Sequence, residues 1–264
     1  MSAVLLAIEA LGGLCAVFLA VYLLARALDN YGIVDVAWSY AFAALAAVYA
    51  LAGPGWPPRR ALIAALVAVW SGRLGTHLLV RIAAKHPEED GRYRQLRREW
   101  GGAFRLRMAG FFQLQAISVV ILGLPFLLAC LNPAPAFGAV EWAGAALWLA
   151  AISGEALADA QLAAFKRREG HRRPVCDVGL WRFSRHPNYF FEWLIWVAFA
   201  LIAGGSPGGW IGLLSPACIL YLLLRVTGIP ATEEQALRTK GAAYRRYQER
   251  TSAFVPLPVR SPKP

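Results

Sequence analysis

Charge is what this sequence has least of. Only 16% of its 264 residues are Asp, Glu, Lys or Arg, against roughly 25% in soluble domains. Apolar residues make up 58%, where roughly 45–50% is usual. One water-soluble core cannot hide that surplus, which arrives in long runs of the kind a bilayer demands. The runs lack the period-2 alternation of barrel strands, which excludes a transmembrane β-barrel. Internal repeats and low-complexity linkers are missing too, and the length suits one helical domain, residues 1–264, better than two. The cysteines are few: Cys15, Cys130, Cys176 and Cys218 form no CxxC or other metal spacing. Three of them lie in apolar runs, and they read as small packing residues. His77, His86, His171 and His186 show no ligand spacing either, so no metal is expected. There is no GxGxxG after a strand, no GxxxxGKS/T and no HExxH, which removes the soluble nucleotide-binding and zinc-protease signatures. The N-terminus lacks a basic n-region and its first apolar run is too long for a secretory h-region.

What is present are seven apolar runs near the roughly 20 residues that a spanning helix needs: Val4–Leu28, Ile33–Ala52, Ala61–Ala83, Phe112–Leu131, Val140–Phe165, Tyr189–Gly204 and Trp210–Val226. Turn chemistry separates them: Asp29-Asn30, the Gly/Pro-rich stretch 53–58, Asn132-Pro133-Ala134-Pro135, and residues 204–209 around Pro207. The expectation is an all-α integral membrane protein, a bundle of seven transmembrane helices. Beyond the last run, Thr232, Glu233 and Glu234 mark the N-cap and first turn of an amphipathic tail helix continuing through Leu237, Tyr244 and Tyr247, within a tail of about 231–264. The segment Gly91–Arg107 is basic and interleaved with Tyr93, Leu96, Trp100 and Phe104, which predicts a helix lying in the interface.

The net charge of +11 suggests nucleic acid in a soluble protein. Here the charge lies in loops between apolar runs, so membrane orientation comes first and no nucleic-acid partner is expected. Of the 27 Lys and Arg, all but Arg59, Arg60 and Arg73 fall on one side when seven helices alternate. The positive-inside rule puts that side in the cytoplasm and the N-terminus outside.

Ionisable residues inside a span are costly and mark function by default. Asp35 opens the second run, just after Asn30 and Tyr31. Arg73, His77 and Arg81 share a face of the third, Glu155 and Asp159 a face of the fifth, Asn188 and Glu192 a face of the sixth, and Arg225 ends the seventh. With this topology every one of these faces lies in the cytoplasmic half, as a water-accessible cavity opening inward requires. The loop 166–188 adds Lys166, Arg167, Arg168, Arg172, Arg173, Arg182 and Arg185-His186. Arginine forks suit phosphate, while neighbouring carboxylates accept from ribose hydroxyls or an amide.

The stretch Gly179-Leu180-Trp181-Arg182-Phe183-Ser184-Arg185-His186-Pro187-Asn188-Tyr189-Phe190-Phe191-Glu192-Trp193 resembles the C-terminal signature of the steroid 5α-reductase superfamily. Residues 30–38, Trp70-Ser71-Gly72-Arg73-Leu74 with His77 and Arg81, and Thr232-Glu233-Glu234-Gln235 leading to Tyr244, Tyr247 and Pro256 resemble its bacterial branch, long filed as a domain of unknown function. The likeness spans nearly the whole chain. It implies a seven-helix bundle that reduces an enone C=C bond, such as that of a 3-oxo-Δ4 steroid, with NADPH. It also implies cofactor contacts from Glu155, Asp159, Lys166, Arg172, Arg173, Asn188, Glu192 and Arg225, with Arg185, His186 and Tyr189 of the signature and Tyr244 and Tyr247 of the tail. Asp35, His77 and Tyr31 are the positional matches for the residues that meet the substrate ketone. Phe191 stands where the superfamily commonly has Gly. Arg185-His186-Pro187-Asn188-Tyr189, Glu233-Glu234 and the Tyr-rich tail also resemble integral-membrane S-adenosylmethionine-dependent methyltransferases acting on a lipid or prenylcysteine. The basic loop separates the two: NADPH carries phosphate charge and S-adenosylmethionine carries none. A non-catalytic lipid-binding bundle is the third reading.

Overall fold

The computed structural model describes residues 2–169, 172–226 and 228–259, so His171 and the last five residues lie outside it. The described chain is all α: α1 (Ala3–Ala27), α2 (Ile33–Ala52), α3 (Pro57–Ala83), α4 (Gly91–Trp100), α5 (Phe104–Leu122), α6 (Leu124–Leu131), α7 (Ala139–Arg168), α8 (Pro187–Gly204), α9 (Leu214–Tyr221), α10 (Ile229–Lys240) and α11 (Ala242–Arg250), with short 3-10 turns between some of them. No strand forms among the described residues, and the nearest thing to sheet is one parallel bridge between Ser184 and Ser252. Among the described residues, six helical stretches contain a segment long and apolar enough to cross a bilayer: α1, α2, α3, Gly91–Leu131, α8 and Gly209–Lys240. The chain is therefore a multi-pass helical membrane protein. The expected fifth span, α7, is not among the six. Its 30 residues make it about 45 Å long, but Glu141, Glu155, Asp159 and its basic end dilute its apolar character.

The run expected at Phe112–Leu131 is really two helices. It starts eight residues earlier, at Phe104, and breaks at Gly123, with Pro125 in the first turn of α6. Proline has no N–H to continue the ladder and its ring crowds the preceding turn. The seventh run is likewise composite: a 3-10 turn at Gly209–Leu213, then α9, then a π-helical turn at Leu222–Val226. The tail departs from expectation at both ends. Thr232 is not an N-cap, because α10 already starts at Ile229 with Pro230 in its first turn, and the Thr232 N–H bonds to the Gly228 carbonyl. The tail helix also stops at Gly241, whose φ of +52° suits glycine alone among common residues, and resumes as α11.

The residues form two compact units, one from Met1–Gly138 with Ile202–Gly212, the other from Ala139–Leu201 with Leu213–Pro264. In the first, α2 and α3 pack as a hairpin. Ser71 Oγ donates to the Ser39 carbonyl across it, and Trp70 stacks at a tilt on Phe42, 5.3 Å between ring centroids. Tyr22, Tyr31, Phe104 and Phe112 form an aromatic cluster joining α1, the α1–α2 turn and α5. Trp38 Nε1 donates to Ser118 Oγ at 2.9 Å, the kind of interhelical polar link that replaces the hydrophobic drive where the solvent is lipid.

Arg59 and Arg60, at the start of α3, are taken up by backbone. Arg59 is 1% exposed. Its guanidinium donates to the carbonyls of Asn132, Ala134 and Ala136 and lies over the rings of Trp56 and Phe137. Arg60 donates to Ala50 and Gly53 at the C-terminal end of α2, where helix carbonyls have no partners of their own. Charged hydrogen bonds of this kind contribute about 1.5–3 kcal/mol each. Arg59→Met is expected to lower stability by about 3 kcal/mol or more, seen as a fall in the melting temperature of detergent-purified protein; an unchanged melt refutes the assignment.

Candidate functional site

The second unit gathers most of the residues singled out in the sequence. On α7, Glu155 is buried and Asp159 lies one turn further on, half-buried. Asn188, in the first turn of α8, points its Nδ2 at Asp159 Oδ1, 3.3 Å away. Glu192, one turn along α8, accepts from Trp196 Nε1 at 2.9 Å. Phe191 lies against Gly154, where a β-carbon would come within 2.4 Å of the ring. The two contacts, 159 with 188 and 154 with 191, run in opposite chain directions, so α7 and α8 are antiparallel. Glu155 and Glu192 thus both lie one turn from the Asp159–Asn188 contact, in the same direction along the pair. The Phe191–Gly154 pair also accounts for the bulky residue on α8: the missing side chain stands on the facing helix instead.

The basic residues divide. Lys166, two turns beyond Asp159 at the end of α7, and Arg172 in the following loop are exposed. Arg173 pairs with Glu169 at 2.9 Å and with Asp177. Its neighbourhood opens into a cleft of about 330 Å³ lined by Arg173, Asp177, Arg182 and Arg250. Arg225 stands exposed in the π-helical turn.

The remaining signature residues turn inward to hold the tail. Arg185 donates to Glu233 Oε1 at 2.6 Å and to the carbonyls of Gln248 and Thr251. His186, 3% exposed, places Nε2 3.3 Å from the same Glu233 oxygen and stacks on Tyr189, 5.3 Å between centroids and 10° apart. Tyr189 reaches Thr232 on α10 at 3.2 Å. Gln248 donates to Glu233 Oε2 at 2.9 Å, and the Tyr244 hydroxyl lies 3.5 Å from Oε1. Tyr247 is buried and donates to the Trp181 carbonyl. Ser184 donates to the Phe254 carbonyl at 2.7 Å. Arg185, Tyr244 and Tyr247, read from the sequence as cofactor contacts, therefore have their polar groups taken up by the fold. Burial raises the hydroxyl pKa of both tyrosines, which keeps them neutral donors.

Glu233, on the polar helix beyond the last apolar run, is the residue that sequence reasoning missed as a hub. Its partners come from positions 185, 186, 244 and 248, in two segments that nothing local in the sequence ties to it. Burial alone would raise its pKa, but the hydrogen bonds from His186 and Arg185 and the charge of Arg185 outweigh that and bring it down to about 2.

The three residues matched to the substrate ketone belong to the first unit. Asp35, with its side chain 18% exposed, accepts from Arg92 at 2.7 Å and from the Tyr93 hydroxyl at 2.8 Å. Each of its oxygens thus has a partner on α4. Tyr93, 3% exposed, was legible only as part of an amphipathic segment. Tyr31 is 2% exposed inside the aromatic cluster, and its N–H donates to Glu89 at 3.0 Å. His77 faces outward from α3. The structure joins Asp35 to Tyr93 and Arg92 and links it directly to neither His77 nor Tyr31.

Comparison with known proteins places the chain in a family without altering this geometry. Residues 21–251 match the family described as a protein of unknown function, DUF1295, and the chain belongs to it. An uncharacterized protein of Schizosaccharomyces pombe, C594.04c, is 27% identical over 229 residues, covering 75% of this chain and 63% of that protein. The chain thus spans under two thirds of that relative's length. No solved structure matches it.

Because Glu233 titrates lower when folded, its contribution is fully present above its ordinary value of 4.5 and is lost as pH falls toward about 2. Protection of the α10 and α11 amides, taken relative to the intrinsic exchange rate at each pH, is expected to be full at neutral pH and to fall through that window. Glu233→Gln strips the counter-charge from the nearly buried Arg185 and should loosen both helices at neutral pH by about 3 kcal/mol. Tail protection that ignores both changes would refute the hub.

Proposed function

We propose that this protein reduces the C=C bond of an α,β-unsaturated ketone in an apolar substrate, a 3-oxo-Δ4 steroid or a similar flat enone, using NADPH. The observation that carries the reading is the order of chemistry along the α7–α8 pair. Glu155 and Glu192 lie deepest, Asp159 and Asn188 one turn above, and Lys166 and Arg172 stand exposed at the end. A dinucleotide has the same order: an amide and ribose hydroxyls that donate to carboxylates, then phosphates that take cations. The donor set therefore fits the group. Bound NADPH supplies the hydride. The protein's part is to orient the nicotinamide and ribose through the α7 and α8 carboxylates and the Asn188 amide, and to neutralise phosphate with Lys166 and Arg172.

Reduction at the β-carbon puts negative charge on the ketone oxygen, which needs a preorganised donor. Of Asp35, His77 and Tyr31, Asp35 is the one set in a polar network, and Tyr93 is the hydroxyl beside it. The reading makes α7 a seventh span, lowered in hydropathy by the carboxylates it carries for ligand binding. It places the N-terminus outside, the C-terminal tail in the cytoplasm, and the chain in a bacterial inner membrane.

Detergent-purified protein is expected to enhance NADPH fluorescence, and Lys166→Gln with Arg172→Gln to weaken that binding about tenfold or more, as loss of charge-assisted bonds to phosphate does. With NADPH and a panel of steroid enones, the product should gain two hydrogens by mass. Absence of NADPH binding, or a methyl gain on a lipid thiol panel with S-adenosylmethionine, would replace this reading with the methyltransferase or the non-catalytic one.

A further inference from the structure

The segment 91–107 carries six arginines, and the structure sorts them into two groups. Arg92 and Arg97 face the protein. Arg92 bridges Asp35 and Asp90; Arg97 bridges Asp29 and Glu89 and lies over the rings of Phe104 and Tyr31. The Asp90 side chain caps the helix through the Arg92 N–H. Arg94, Arg98, Arg105 and Arg107 are exposed, and among the described residues none of them has a carboxylate within ion-pair distance. The acidic residue next to Arg98 in the chain, Glu99, accepts from Gln95.

The apolar face of α5 sets the depth of this outer group. Leu114, Ile117 and Ile121 are 58%, 40% and 42% exposed and recur at helical spacing on α5, a stripe suited to lipid tails. Arg107 lies two turns below Leu114 on the same face, about 10 Å along the axis. Leu106 beside it is 80% exposed, and Arg107 stacks on Trp100 at 5.9 Å. Cations, an aromatic ring and an exposed leucine at the foot of a lipid-facing stripe sit at headgroup depth.

We propose that the outer face of α4 and the first turn of α5 is a docking surface for anionic phospholipid headgroups, with Arg94, Arg98, Arg105 and Arg107 as its phosphate-binding cations. Four guanidiniums with no internal counter-charge favour a lipid with net negative charge over a zwitterionic one, whose own ammonium competes for the phosphate. The inner face of α4 holds Asp35 through Arg92 and Tyr93, so an occupied outer face steadies the helix from both sides. The inference stands independently of the reductase reading.

The test measures lipid binding by native mass spectrometry of detergent-purified protein titrated with phosphatidylglycerol or phosphatidylcholine. Wild type is expected to take phosphatidylglycerol in preference, and 0.5 M salt should erase the preference, as screening requires at that strength, roughly. R94Q/R98Q/R105Q/R107Q should bind phosphatidylglycerol about tenfold or more weakly with phosphatidylcholine unchanged, on the scale expected for several surface cations. The corresponding lysine variant should keep the preference. Equal binding of both lipids by wild type, a salt-insensitive preference, or displacement of phosphatidylglycerol by millimolar inorganic phosphate or NADPH would overturn it. If the quadruple variant does not fold, R105Q/R107Q, which leaves α4 unchanged, serves in its place, and an unweakened phosphatidylglycerol preference in it would overturn the proposal.

Discussion

Around the carboxylate of Glu233, one oxygen meets Arg185 and His186 while the other meets Gln248. The second unit's surface layer depends on this joint. The signature loop contributes the cation, α10 the anion and α11 the amide, so three segments distant in sequence share one charge. The pair is nearly buried, and such a pair is costly to assemble but far more costly to break from one side. The tail therefore has few alternatives to the place it occupies. Backbone accompanies the side chains: Arg185 N–H to the Ser252 carbonyl and Leu257 N–H to the Phe183 carbonyl stitch the chain end beside the loop.

Once the tail is fixed, the polar faces of α7 and α8 keep their register. Trp181 Nε1 donates to the Ala158 carbonyl, and the Leu180 N–H to Gln161 Oε1, which ties the loop back onto α7 beside Asp159. The α7 helix illustrates a general tension in membrane proteins. Carboxylates such as Glu155 and Asp159 lower a helix's apolar character, and α7 is accordingly not among the stretches apolar enough to cross a bilayer.

The first unit solves its polar problem differently at its two ends. At one, Arg59 and Arg60 turn inward and satisfy carbonyls that an apolar surround would leave stranded. At the other, α4 splits its arginines between protein carboxylates and the exterior. The same residue type serves opposite ends because the guanidinium plane offers several donors at once and retains its charge when desolvated.

Long apolar runs gave the helices away, because bilayer thickness imposes a length that composition records; α2 appears at the residues read from sequence, Ile33–Ala52. The four-residue spacing of Glu155 with Asp159 and of Asn188 with Glu192 likewise put them on shared faces, since helical period is a local property. What sequence could not reveal was who meets whom. Asn188 facing Asp159, Phe191 filling the space above Gly154, Tyr93 against Asp35, and Arg185, Tyr244 and Tyr247 turned to structural work are all set by contacts between segments far apart in the chain. A side chain's type declares what it can bind, but only its neighbours in space decide whether the fold has already claimed it.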